Sequence, residues 1–185
     1  DYITVGPVGS NADYNSIASA LTAASALTPS ASNPIGIQVF PGIYTESNPL
    51  TTMEYVDVCG IMGEHVTIIQ PLTATAEIFN VVNNSVISGF TIIGANGVNG
   101  IGIKISSTNN NFAKVFNCDI KNCKTGIQIT GATTKAKMNK MNIIQTSSDG
   151  IVNAIEILNG AYAELFITNI ILAGGTQFSK GIYGD

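Results

Sequence analysis

The sequence predicts an all-β protein, a single-stranded right-handed parallel β-helix (a solenoid) with an N-terminal capping helix. Three observations lead there: an internal repeat, a two-residue alternation inside each repeat, and polar turn formers between repeats. The repeat is Gly102-Ile103-Lys104-Ile105, Gly126-Ile127-Gln128-Ile129, Ala154-Ile155-Glu156-Ile157 and Gly181-Ile182, at spacings of 24, 28 and 27 residues. A second strand series falls between its members: Val86 to Ile93, Lys114 to Ile120, Met138 to Ile144 and Leu165 to Ile171. In that series Ile92, Ile120, Ile143 and Ile170 recur at 28, 23 and 27 residues, so two interleaved series share one period. One structural coil per period follows. The alternation puts Phe116, Cys118 and Ile120 on one side of a strand and Asn117, Asp119 and Lys121 on the other. Gly94 to Gly97, Thr108 to Asn111, Thr146 to Gly150 and Asn159-Gly160 supply the turns. No helix-length pattern separates the strands, which excludes a βαβ crossover and leaves coils stacked directly on one another. At about 4.8 Å per rung, five or six coils make a rod of roughly 25–30 Å.

One β-helix domain is expected over 1–185, with 1–34 forming an N-terminal strand, capping helix and loop, and 35–185 the coils. The helix is read from Asp13 to Ala24, with Asp13 as its N-cap and Ile17, Ala20, Leu21 and Ala24 along one face. It would cover the apolar interior and free edge of the end coil. Residues 28–34 form a loop into the first coil strand, Ile35 to Phe40. Gly181-Ile182-Tyr183-Gly184-Asp185 reads as the start of another coil without a cap. That predicts either a fragment of a longer rod or an end covered by partner subunits, with a homo-oligomer or other structural subunits as the partners.

Composition removes several function classes. Hydrophobic residues make up 45% and charged residues 11%, too apolar for a disordered chain. Eight Lys, no Arg and 12 acids give a net charge of -4, and no basic block exists to neutralise phosphates. No nucleic acid is expected as partner. No apolar stretch reaches the roughly 18 residues of a membrane span. Cys59, Cys118 and Cys123 are too few and odd in number for a disulfide framework, and with His65 the sole histidine no zinc set assembles. No metal and no cofactor is expected. Asn83-Asn84-Ser85 is a single glycosylation sequon.

The segments Ile3-Thr4-Val5-Gly6-Pro7, the helix after Tyr14, Ile37 to Glu46, Val58 to Glu64 and Thr67-Ile68-Ile69 resemble the opening of pectin methylesterases and other β-helix proteins of the pectin-lyase type. The resemblance covers about residues 1–70 and implies the fold more than an activity. Carried onward, it places the methylesterases' oxyanion-stabilising Gln on Asn99. Their Gln-Asp pair falls on Lys124-Thr125, and their second Asp near Asp149 or Asn153. The Arg those enzymes need is absent. Pectate-lyase and polygalacturonase motifs are missing too, and no Asp/Glu pair at matching phase in adjacent coils supplies the two carboxylates of glycoside hydrolysis. No catalytic residue is assigned.

Outward positions of stacked coils form ladders, so rows matter more than linear motifs. One row is Lys104, Gln128 and Glu156; another is Thr91, Asp119, Asn142 and Asn169. Rungs about 4.8 Å apart can follow successive hydroxyls of a glycan, and the same side chains can instead bond along the stack. Tyr44, Tyr55, Tyr162 and Tyr183 are candidates for stacking on sugar rings, although no row of aromatics lies in one phase. Glu46, Glu64 and His65 read as turn and surface residues. The expectation is a non-catalytic structural or glycan-binding β-helix module of a virion surface, fibre or secreted cell-surface protein, with a polysaccharide or surface glycan as partner. The alternatives are a polysaccharide-active lyase or hydrolase with its site at a subunit interface or in missing coils, and a purely architectural self-assembling subunit.

Overall fold

The computed structural model describes residues 1–145, 153–172 and 180–184. Strand β1 (Tyr2–Val5) is followed by helix α1 (Ile17–Ala26). The chain then winds through β2 (Ile35–Val39), β3 (Gly42–Glu46) and β4 (Leu50–Thr51), and again through β5 (Val56–Gly60), β6 (Thr67–Pro71) and β7 (Glu77–Val81). A third pass runs through β8 (Val86–Ser88), β9 (Thr91–Ile93) and β10 (Ile101–Ser106). The later passes use two strands each: β11 (Phe112–Lys121) with β12 (Thr125–Thr130), β13 (Lys135–Gln145) with β14 (Asn153–Leu158), and β15 (Tyr162–Leu172) with β16 (Lys180–Gly184).

Every pairing between these strands is parallel, and they stack into three faces. The first face stacks β1, β2, β5, β8 and the leading halves of β11, β13 and β15. The second stacks β3, β6, β9 and their trailing halves, and the third is the six-stranded column β4, β7, β10, β12, β14, β16. The protein is a parallel β-solenoid with one helix near its N-terminus.

The repeat explains the register. Ile103, Ile127 and Ile155 are direct partners up the third face, fully buried, above Phe79. On the second face Ile69, Ile92, Ile120 and Ile143 stack the same way. Period-two side chains on both faces of a parallel ladder force this aliphatic column, since a one-residue slip would turn it outward. Helix α1 covers the end as expected, with Ile17, Ala20, Leu21 and Ala24 buried.

Two local expectations are corrected, and the sequon is found buried. The helix begins later, at Ile17, with Ser16 as N-cap accepting from the Ser19 N–H. Asp13 is engaged elsewhere, its carboxylate accepting from both the N–H and the hydroxyl of Thr4. The Phe116/Cys118/Ile120 alternation fails at Asn117, whose φ of 52° turns the corner between first and second faces. Val115 and Cys118 therefore point inward and Phe116 does not. Lastly, the sequon asparagine Asn83 is only 2% exposed and donates its amide to Glu54, which leaves it no room to carry a glycan. Among the described residues no helix is long and apolar enough to cross a membrane.

Candidate functional site

The two outward rows lie in register as ladders. Lys104 pairs with Gln128 and Gln128 with Glu156 along the third face; Asp119 pairs with Thr91 below and Asn142 above, and Asn142 with Asn169. They differ in how far their polar groups are already used. Asn142 donates to Asp119 at 2.7 Å and Asn169 donates to Asn142 at 2.9 Å, so the second-face row forms a chain of amides bonded along the stack. Lys121 lies 3.1 Å from the same Asp119 carboxylate. That row is largely self-satisfied.

The third-face row opens into a groove of about 260 Å³ lined by Val98, Asn99, Ile101, Lys124, Thr125, Gln128 and Glu156. Its rim is the 94–100 turn, whose shape depends on Gly100: a Cβ there would lie 2.2 Å from the Ala95 carbonyl oxygen and 2.5 Å from that of Ala74. Backbone bonds from Lys124 to Ala95 and from Thr125 to Gly100 pin the next coil against this turn. Inside, Gln128 donates to one Glu156 oxygen at 2.7 Å and the Asn153 amide donates to the other. Lys104 sits one coil lower and is drawn to Glu77 at 3.6 Å, so it is not part of the lining.

The groove gathers Asn99, Lys124 and Thr125, three of the positions that the methylesterase resemblance marks, beside Gln128 and Glu156 of the predicted row. Asn153 stands behind them as a donor to Glu156. One carboxylate, one ammonium and three neutral polar groups line it. Such a lining can hold hydroxyls from several sides, and among the described residues it holds no second carboxylate for acid–base cleavage. Asp149, the other position marked by the resemblance, and the turn around it lie outside the described residues.

Sequence reasoning missed two further groupings. The first surrounds His65, whose ring is 75% exposed. Its Nε2 lies 3.6 Å from Glu64 and its Nδ1 lies 3.6 Å from Asp119, a carboxylate only 3% exposed. The 61–66 loop reaches over the third pass, with Thr91 donating to the Glu64 carbonyl and Asn117 donating to the Glu64 carboxylate, each at 2.5 Å. Gly60 and Gly89 permit the crossing, because a Cβ on either would come within 2.3 Å of the other's carbonyl oxygen. The second is a larger groove, about 540 Å³, where the first face meets the corner preceding it. Tyr55 and Phe112 line it, and above it Phe112 and Tyr162 occupy one column on either side of Lys135, their rings edge to face at 6.4 Å. Aromatics thus do share a phase, contrary to the expectation. Tyr44 is buried core, its hydroxyl donating to the Phe40 carbonyl, while the Tyr183 side chain lies outside the described set.

Cys118 and Cys123 are fully buried, and burial pushes both thiols up to about 12, which keeps them protonated and inert. Among the described residues no group of three or more His, Cys, Asp or Glu could hold a metal ion. No protein-family model, curated protein or solved structure matches the chain. The site residues therefore rest on geometry alone.

Proposed function

We propose that the protein is a non-catalytic glycan-binding β-helix module, with the third-face groove as its binding site. One observation carries this reading: the groove brings together Thr125, Gln128 and Glu156 of a parallel ladder with Asn99 and Lys124 of the turns leading into it, from three consecutive coils. Side chains held by a ladder lose little freedom on binding, which favours affinity from few contacts. The coil belongs, on the same reading, with the pectin-lyase-type β-helices, with Thr125 standing where the methylesterases have a catalytic Asp and Lys124 where they have a Gln. A rod with a groove on its side suits display on a virion fibre or a cell surface. The test is retention on immobilised polysaccharides with Lys124→Ala and Gln128→Ala as controls. Loss of retention without loss of folding supports the site; retention unchanged in both variants rejects it.

A second reading, a polysaccharide-active enzyme, is favoured by one specific feature, the imidazole of His65 with a carboxylate 3.6 Å from each ring nitrogen, Glu64 at Nε2 and Asp119 at Nδ1. A buried carboxylate at Nδ1 is the arrangement that orients a histidine for proton transfer at its other nitrogen. Incubation with polysaccharides separates the readings: shortened chains that disappear in His65→Ala would establish the enzyme.

A further inference from the structure

The 540 Å³ groove at the corner before the first face has the make-up of a ligand site in its own right. Pro34, Tyr55, Asn84 and Phe112 come from successive passes, and backbone bonds run from Ile35 to Tyr55, from Tyr55 to Asn84 and from Asn84 to Phe112. Tyr55 (φ 64°) and Asn84 (φ 56°) both occupy the left-handed region. For Asn that is ordinary; for a bulky Tyr it is a costly conformation that persists only where the surroundings impose it. Behind the groove, the Glu54 carboxylate collects the amides of Asn83, Asn84 and Asn109, which ties three passes together. At its mouth Asn110 and Asn111 are exposed, and their side-chain amides make no hydrogen bond within the described residues.

The chemistry of the lining is specific. A pyranose presents an apolar C–H face and a rim of hydroxyls; Tyr55, Phe112 and Pro34 match the first, and the free amides of Asn110 and Asn111 match the second. Among the described residues only two charged ones line the groove, Asp57 and Lys114, and they are of opposite sign. Nearby cations are already engaged: Lys137 lies 3.3 Å from Glu164, and Lys135 lies over the Phe112 ring at 5.9 Å. Burial pushes the Asp57 carboxyl up, against the opposing pull of the Val86 N–H and of Lys114. Hydroxyl donors would satisfy it, whereas a second carboxylate would be repelled.

We infer that this groove is a second sugar site, distinct in residues from the third-face groove, and that it takes a neutral pyranose rather than an acidic one. The sugar stacks between Tyr55 and Phe112, donates hydroxyls to Asp57 and bonds the Asn110 and Asn111 amides. The test is calorimetric titration of the Lys124→Ala protein, in which the third-face contribution is weakened. The probes are neutral gluco-, galacto-, manno- and N-acetylglucosamine oligomers, with uronate oligomers for comparison. A neutral oligomer should bind saturably, and Phe112→Ala and Asp57→Asn, each added to that background, should weaken it at least about tenfold, the scale of one lost stacking or hydrogen-bond contact. Asn110→Ala, at an exposed turn where folding is not at stake, should weaken it several-fold. Uronates binding more tightly than neutral oligomers, or affinity unchanged in Asn110→Ala and Phe112→Ala, would overturn the inference. So would a Lys124→Ala protein that binds no neutral oligomer. Indifference of wild-type binding to Lys124→Ala would count only against the third-face site.

Discussion

The second-face and third-face rows look alike in the sequence, each a polar residue beside a recurring isoleucine in successive coils, yet they differ in space. On the second face the row closes on itself: Asn169 bonds Asn142, Asn142 bonds Asp119, and Lys121 stands beside the same carboxylate. On the third face Gln128 and Glu156 bond each other but also line a groove, because the long 94–100 turn stands off the sheet beside them. The difference lies in the turns. In the fourth and fifth passes Asn117 and Lys140 turn the first-to-second corner with a single left-handed residue, and the 61–66 loop of the second pass bonds down onto that face, whereas the second-to-third corner of the third pass carries the 94–100 turn, which builds a wall. A repeat fixes the ladder; turn length decides whether a ladder becomes a site.

The largest effect that would break this comparison lies beneath it. Both rows depend on the aliphatic columns staying in register, so Ile127→Ala should cost about 2–5 kcal/mol in denaturant unfolding. A near-zero loss would mean that Ile103, Ile127 and Ile155 do not form one packed stack. Next is Asp119→Ala. It strands the Asn142 amide and Lys121 beside a nearly buried position, and should lower stability by about 1–3 kcal/mol while leaving glycan retention intact. Reduced retention with unchanged stability would reverse the roles assigned to the two faces. Lys124→Ala should do the opposite, weakening retention about tenfold, near 1.4 kcal/mol, with an unchanged melting temperature.

Much of this was legible before any coordinates. The Gly-Ile-x-Ile recurrence gave the columns because Ile at period two has one stable placement in a stacked coil. The helix face of Ile17, Ala20, Leu21 and Ala24 was legible from helical spacing. Its start was not, because Asp13 and Ser16 are both good caps and only the pairing of Asp13 with Thr4 decides between them. The groove lining was half legible: Gln128 and Glu156 follow from phase, whereas Asn99, Lys124 and Thr125 were marked only as replacements of methylesterase residues, and nothing local says that the 94–100 turn brings Asn99 beside them. The His65–Asp119 approach spans 54 positions and depends on a loop crossing a whole pass, so no linear motif carries it.

The smallest expected effect concerns the cap. Glu46 was read as a turn residue; it is the last residue of β3, almost fully buried, and its carboxylate accepts from the N–H groups of Ile17 at 2.6 Å and Ala18 at 3.2 Å at the helix N-terminus. Burial pushes its carboxyl above the ordinary 4.5, with those two N–H groups pulling the other way. A carboxyl raised in the folded state favours folding most in acid, below the unfolded value, and that contribution fades as pH rises through the folded one. Between about pH 4.5 and neutrality, Glu46→Gln should therefore flatten the decline in melting temperature while its amide oxygen still caps Ile17. A steeper decline in the variant would contradict the sign.

The most direct test of the central claim, a side groove that binds sugar without cleaving it, follows retention and chain length together. The protein is incubated with a panel of neutral and acidic polysaccharides, and bound and free fractions are sized by mass spectrometry. The account predicts retention of at least one polysaccharide, reduced in Lys124→Ala, with every chain at its original length. Shortened chains that vanish in His65→Ala, or retention indifferent to Lys124 and Gln128, would contradict it.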